Sequence, residues 1–179
     1  MKPYGVTEAV PPTGKQRYDP RYMRGNKMVK QRPVQHLEIT TLVHATEDHI
    51  KVVHAVSNLF PEHIEIPLYD EVKFTGVFGE SIAMLKWVLK NRRPATETFN
   101  KVITGLNSLD LHKVQESLGD RIDENKNMYL RVDKQKAATG VIKLDNHDSI
   151  RVKARMLVPH KTDPVKLMYD HIQELTQDA

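Results

Sequence analysis

Met128, Leu130 and Val132 alternate with Tyr129, Arg131 and Asp133 along residues 127–136, NMYLRVDKQK. Period-2 alternation predicts a strand with one buried and one wet face. Residues 149–157 repeat it: Ile150, Val152, Ala154 and Met156 fall on one side, and Arg151, Lys153 and Arg155 on the other. Residues 36–44 alternate Leu37, Ile39, Thr41 and Val43 against Glu38, Thr40 and Leu42, which predicts a further strand. Within 64–74, Ile64, Ile66 and Leu68 share a face. Pro67 cannot donate to a central ladder, so this strand belongs at an edge or carries a bulge. Val141, Ile142 and Leu144 predict one more short strand before the turn at Asp145-Asn146-His147-Asp148.

Other stretches repeat with helical spacing. Thr46 is a candidate N-cap, and Val52, Val53, Val56, Leu59 and Phe60 follow it up to Pro61. Residues 95–118 carry two apolar stripes. The first is Phe99, Val102, Ile103 and Leu106; the second is Leu109, Leu111, Val114 and Leu118, after which Gly119 stops the helix. A last helix starts near Asp163, with Pro164 in its first turn and Val165, Met168, Ile172 and Leu175 turned to the core. Residues 81–91 fit both periods. Ile82, Leu85 and Leu89 suit a helix face, while Ala83, Leu85, Trp87 and Leu89 suit a strand face. The resulting order is β-α-β-β-α-α-β-β-β-α. It predicts an α+β fold, a mostly antiparallel sheet with helices packed on one face. The other sheet face would then be open and polar.

Charge changes this picture at one end of the chain. Residues 1–35 hold eight Lys and Arg against Glu8 and Asp19, a balance of 8 − 2 = +6. The remainder holds 19 basic and 21 acidic side chains, a balance of −2, so the whole +4 excess lies in the first 35 residues. Pro3, Pro11, Pro12, Pro20 and Pro33, with Gly5, Gly14 and Gly25, erase any periodicity there. The expected organisation is a basic arm over 1–35, extended or disordered when free, and a single α+β domain over 36–179. Tyr4, Tyr18 and Tyr22 are interleaved with the arm's cations. Such a composition suits RNA: cations meet phosphates and tyrosine rings stack on unpaired bases.

The function classes excluded are as informative. No run approaches the ~18 apolar residues of a membrane helix, and the N-terminus lacks the apolar core of a secretion signal. Cysteine is absent, so there is no disulfide and no thiolate metal site. These features predict a cytoplasmic protein with no membrane partner. No G-x-S-x-G elbow, G-x-x-x-x-G-K-[ST] or G-x-G-x-x-G loop occurs, and no catalytic residue or cofactor is expected. The acidic turn Asp120, Asp123 and Glu124 lacks the register of a calcium loop, and no metal is expected there. His44, His49 and His54 stand five apart, which suits neither a helical nor a strand ligand pair.

The candidate site is therefore a set of cations and rings for RNA. The arm supplies Arg17, Tyr18, Arg21, Tyr22, Arg24, Lys27, Lys30 and Arg32. The cluster before Pro94 supplies Arg92 and Arg93, and the strands supply Tyr129, Arg131, Lys134, Lys136, Arg151, Lys153 and Arg155. Two alternatives stay open. Acidic residues on a neighbouring strand would neutralise the Arg151–Lys153–Arg155 stripe. Tyr129 and Arg131 would serve packing instead if a helix covered them, with Asp133 as partner.

His44-Ala45-Thr46-Glu47-Asp48 at the first strand–helix junction, the 127–135 strand, and Ile150 to Val152 opening a basic strand occur in this order. Together they resemble an archaeal RNA-binding family named as predicted exosome subunits. Its fold is similar to the large-subunit ribosomal protein that binds 5S rRNA. The resemblance spans roughly residues 36–177 and leaves the arm outside. It implies that residues 81–91 form a strand. It also implies a non-catalytic RNA-binding protein, an accessory component of an RNA-processing assembly of the exosome type or of a ribosomal one. Alternatives are a ribosomal or ribosome-associated structural protein, or a protein–protein scaffold module without RNA contact. The expected partners are RNA, as rRNA or processing substrate, with ribosome or exosome proteins, and a homodimer is compatible with the sequence.

Overall fold

The computed structural model describes residues 32–177. Within it, five strands form one antiparallel sheet in the order β2-β3-β1-β5-β4. The strands are β1 (Val34–Val43), β2 (Asp70–Thr75), β3 (Ser81–Leu89), β4 (Asn127–Asp133) and β5 (Ser149–Met156). Among the described residues there are six helices: α1 (His49–Ser57), α2 (Arg92–Thr104), α3 (Ser108–Glu116), α4 (Leu118–Arg121), α5 (Lys134–Ala138) and α6 (Pro164–Gln177). The α+β class and the order of elements follow the sequence pattern.

The alternation decides which way each strand faces. Leu37, Ile39 and Val43 of β1, Leu85, Trp87 and Leu89 of β3, Met128, Leu130 and Val132 of β4, and Ile150, Val152 and Ala154 of β5 are all buried on one side. Phe99, Val102 and Ile103 of α2, Val52 and Val56 of α1, and Met168 and Ile172 of α6 complete that core. The opposite face carries the other parity. The 81–91 ambiguity resolves as a strand over 81–89, where β3 pairs with β1 from Leu37–Leu89 to Val43–Ala83 and with β2 on its other side.

Local departures have local causes. The strand expected at 64–74 starts only at Asp70. Ile64 instead donates its N–H to the Pro61 carbonyl at 3.0 Å, in a turn that precedes Pro67. The strand expected at 141–144 is reduced to a single bridge, Leu144 to Val132, closed by the Asp133 N–H on the Lys143 carbonyl and the Asp145 N–H on the Arg131 carbonyl, while the Leu144 N–H donates to the Asp110 carboxylate at 3.1 Å. That same Asp110 occupies the inward position of α3, and Leu109 is left outside at 74% exposure. The helix expected from Thr46 is capped by Asp48, whose carboxylate accepts from the Ile50 N–H at 2.9 Å. Pro94 sits in the first turn of α2, where a missing N–H costs nothing. Among the described residues no helix is long and apolar enough to cross a membrane.

Candidate nucleic-acid interface

β5 lies between β1 and β4, so its outward side chains have neighbours on both sides. Arg151 faces Arg131 on β4 and Thr40 on β1; Lys153 faces Tyr129 and Glu38; Arg155 faces Asn127 and His36. Arg131, Arg151 and Arg155 are exposed, and Lys153 is half-buried. Two like charges directly across a ladder oppose each other, yet Arg131 and Arg151 hold this position. Among the described residues no carboxylate lies within ion-pair distance of these four cations. Glu38, the acid best placed by register to neutralise Lys153, instead takes the Lys86 ammonium at 2.9 Å. Lys86 was not among the residues expected from sequence. Its signal was the parity of Ile82, Met84, Lys86 and Val88, readable only once 81–91 is a strand.

Tyr129 has a different part from the one its composition suggests. The Arg151 guanidinium sits over its ring, 4.8 Å from the centroid, a cation–π contact. Its hydroxyl donates to Asp123 Oδ2 at 2.8 Å. That hydrogen bond raises the Tyr129 pKa above its ordinary value. The ring therefore steadies Arg151. Asp123 is engaged in turn. It accepts from the Asn127 N–H at 2.8 Å and from Asn127 Nδ2 at 2.9 Å. Burial pushes its carboxyl up, but the bonds from Asn127 and Tyr129 prevail and hold its pKa at about 2. This explains the acidic turn: its central carboxylate closes the turn onto β4. A depressed carboxylate stabilises the fold above its unfolded value and loses that contribution as pH falls through the folded one. Asp123→Asn is expected to flatten the fall in thermal stability between about pH 4 and pH 2. Melting curves across that range check it; an unchanged acid limb would refute the assignment.

Lys134 must be withdrawn from the expected phosphate contacts. It is 3% exposed. Its ammonium donates to Glu47 at 2.8 Å and to the Leu42 carbonyl at 2.9 Å, and lies 2.6 Å from Asp148. With three acceptors for three N–H donors, nothing is left for a phosphate. Lys136, expected on the strand, sits exposed on α5, because Asp133 ends β4 and caps that helix by accepting the Lys136 N–H at 2.9 Å. His44, Glu47 and Asp148 come within 4.8 Å of one another. The Lys134 ammonium lies against both carboxylates and neutralises them as a metal ion would.

Arg92 and Arg93 lie at the start of α2, in the helix layer, apart from the β4–β5 stripe. Arg92 Nε donates to the Arg32 carbonyl at 2.6 Å, and Arg93 Nε donates to Glu97 at 2.9 Å. Of the expected arm residues only Arg32 is described; Arg17, Tyr18, Arg21, Tyr22, Arg24, Lys27 and Lys30 lie outside the described residues.

Comparison with known proteins adds a family. Residues 36–156 match the protein family described as RNA binding. The chain is 28% identical over 142 residues to an RNA-binding protein of Pyrococcus abyssi, covering 76% of this chain and 92% of that protein. It is 33% identical over 119 residues to an uncharacterized protein of Methanocaldococcus jannaschii, covering 64% of this chain and 78% of the relative. Among solved structures it is similar to a DUF54 protein from Methanothermobacter thermautotrophicus. The TM-score is 0.63 and the identity 27%, with 80% of this chain and 98% of the other covered.

Proposed function

This chain belongs to the RNA-binding family, and from that premise we propose that it holds RNA on the β4–β5 half of its open sheet face, without catalysis. The observation that carries the reading is the block of Arg131, Arg151, Lys153 and Arg155 on adjacent strands, with no ion-pair partner among the described residues. Cations held in register and left unneutralised favour a polyanion. The four groups take phosphates, and Tyr129 positions Arg151. Arg32 and the arm cations Arg17, Arg21, Arg24, Lys27 and Lys30 extend the positive field by sequence, with Tyr18 and Tyr22 as stacking rings.

In a cell this would make the protein an accessory component of an RNA-processing assembly of the exosome type, or of a ribosomal one. Either gives it RNA as its direct partner and demands no cofactor. Crosslinking to RNA in cells separates the two, since rRNA alone favours the ribosome and mixed transcripts favour processing.

A salt series with a short single-stranded RNA tests the binding itself. Four phosphate contacts to a single strand predict a slope of about −3 in log affinity against log salt. Absence of binding at low salt, or binding that ignores salt, would refute the proposal.

A further inference from the structure

We propose that the outer edge of β2 is a self-association edge, on which a second copy of this chain pairs antiparallel to make one continuous ten-stranded sheet. β2 pairs only with β3 among the described residues, and all six of its residues are exposed. An edge strand offers a row of unpaired N–H and C=O groups to another chain. Apolar exposure is concentrated here as well. Of the twelve exposed large hydrophobic residues among those described, six lie between positions 66 and 78. They are Ile66, Leu68, Val72, Phe74, Val77 and Phe78; Leu68 is 97% exposed and Phe78 95%. Exposed apolar side chains concentrated in one segment favour an interaction site there.

The charges of β2 say which partner fits. Joining two copies with their helix layers on the same side requires even residues to meet even and odd to meet odd, because strand side chains alternate. The two-fold axis then passes through a residue. An axis at Glu71 sets that acid against itself, and an axis at Lys73 does the same with an ammonium; both are unfavourable. An axis at Val72 sets Glu71 opposite Lys73 of the second copy, twice. Within one chain Glu71 and Lys73 already lie 3.4 Å apart, so the joint would carry a square of four alternating charges. The same register places Val72 against Val72. It also sets Asp70 against Phe74 and runs residues 66–68 of one copy toward Val77 and Phe78 of the other. This self-complementarity is the property of an isologous interface. The edge is at the far side of the sheet from β4 and β5, so pairing leaves the basic stripe open.

Light scattering on the nuclease-treated full chain tests the proposal. The expected mass across the micromolar range is twice 20.6 kDa. Glu71→Lys and Lys73→Glu each turn the square into four like charges and should raise the dimer dissociation constant by about tenfold or more. Mixing the two variants restores alternation between unlike copies, so the mixture should recover the doubled mass. A monomeric wild type, as when the edge serves a different protein, overturns the proposal. So do single variants that stay dimeric, or a mixture that stays monomeric. Both sites are exposed on the surface strand, and circular dichroism of each variant verifies the fold.

Discussion

Replacing Arg151, Lys153 and Arg155 together by Glu is expected to lower RNA affinity by about 100-fold or more near 0.1 M salt. Three phosphate contacts disappear, and each carries about 0.7 of the salt slope on a single strand, so the slope should become shallower by about 2. The new carboxylates then repel the phosphates that the cations attracted. The fold should survive the change. Val152, Ala154 and the rest of the inward parity are untouched, and a Glu at 151 would face Arg131 across the ladder in place of a like charge. Fluorescence anisotropy over a salt series, with a melting curve for each protein, reads both consequences. A folded triple variant that binds as the wild type does would remove the sheet face from the mechanism and leave the arm to account for binding.

Lys134→Met is expected to destabilise the fold by about 3 kcal/mol and to leave the salt slope of RNA binding unchanged. Methionine keeps the length of the buried stem but has no donor for Glu47, Asp148 or the Leu42 carbonyl. Removing one member of a buried ion pair costs about 3–5 kcal/mol, since the remaining charge loses its compensation. The lower end applies here because Glu47 and Asp148 are 23% and 44% exposed and water solvates them in part. Denaturant unfolding measures the loss. A cost below about 0.5 kcal/mol would be that of a solvated surface pair, contrary to this assignment. A slope shallower by about 0.7 would return Lys134 to the RNA contacts.

Lys134 also illustrates what a sequence can conceal. The parity of 149–157 and of 127–133 sorted buried from exposed residues correctly, because each strand is long enough for its period to be counted. That reading placed Arg131, Arg151 and Arg155 on the exposed side where they stand. Lys134 follows the same stretch and looks like one more cation of the stripe. It is buried because β4 ends one residue earlier, at a cap made by Asp133, and because Glu47 and Asp148 arrive from positions 87 before and 14 after it. No local pattern reports such meetings. The contacts of Tyr129 are hidden for a related reason: only register sets Arg151 across from Arg131, beside the ring, and only the turn brings Asp123 to its hydroxyl. Asp110 was hidden inside an apolar stripe, where helical spacing alone favours Leu109.

The strand order has a kinetic consequence. β1 is central, and its neighbour β5 begins 106 positions after β1 ends (149 − 43). At synthesis rates of 5–20 residues per second, β1 waits roughly 5–20 s with one edge bare. β3 can close the other edge much sooner. The nascent chain therefore passes through a half-sheet, β1 to β3, that presents Leu37, Ile39 and Val43 without their β5 neighbours. A long-range pairing of this kind slows folding, and ribosome-bound chains ending before residue 149 should be the form that chaperones hold.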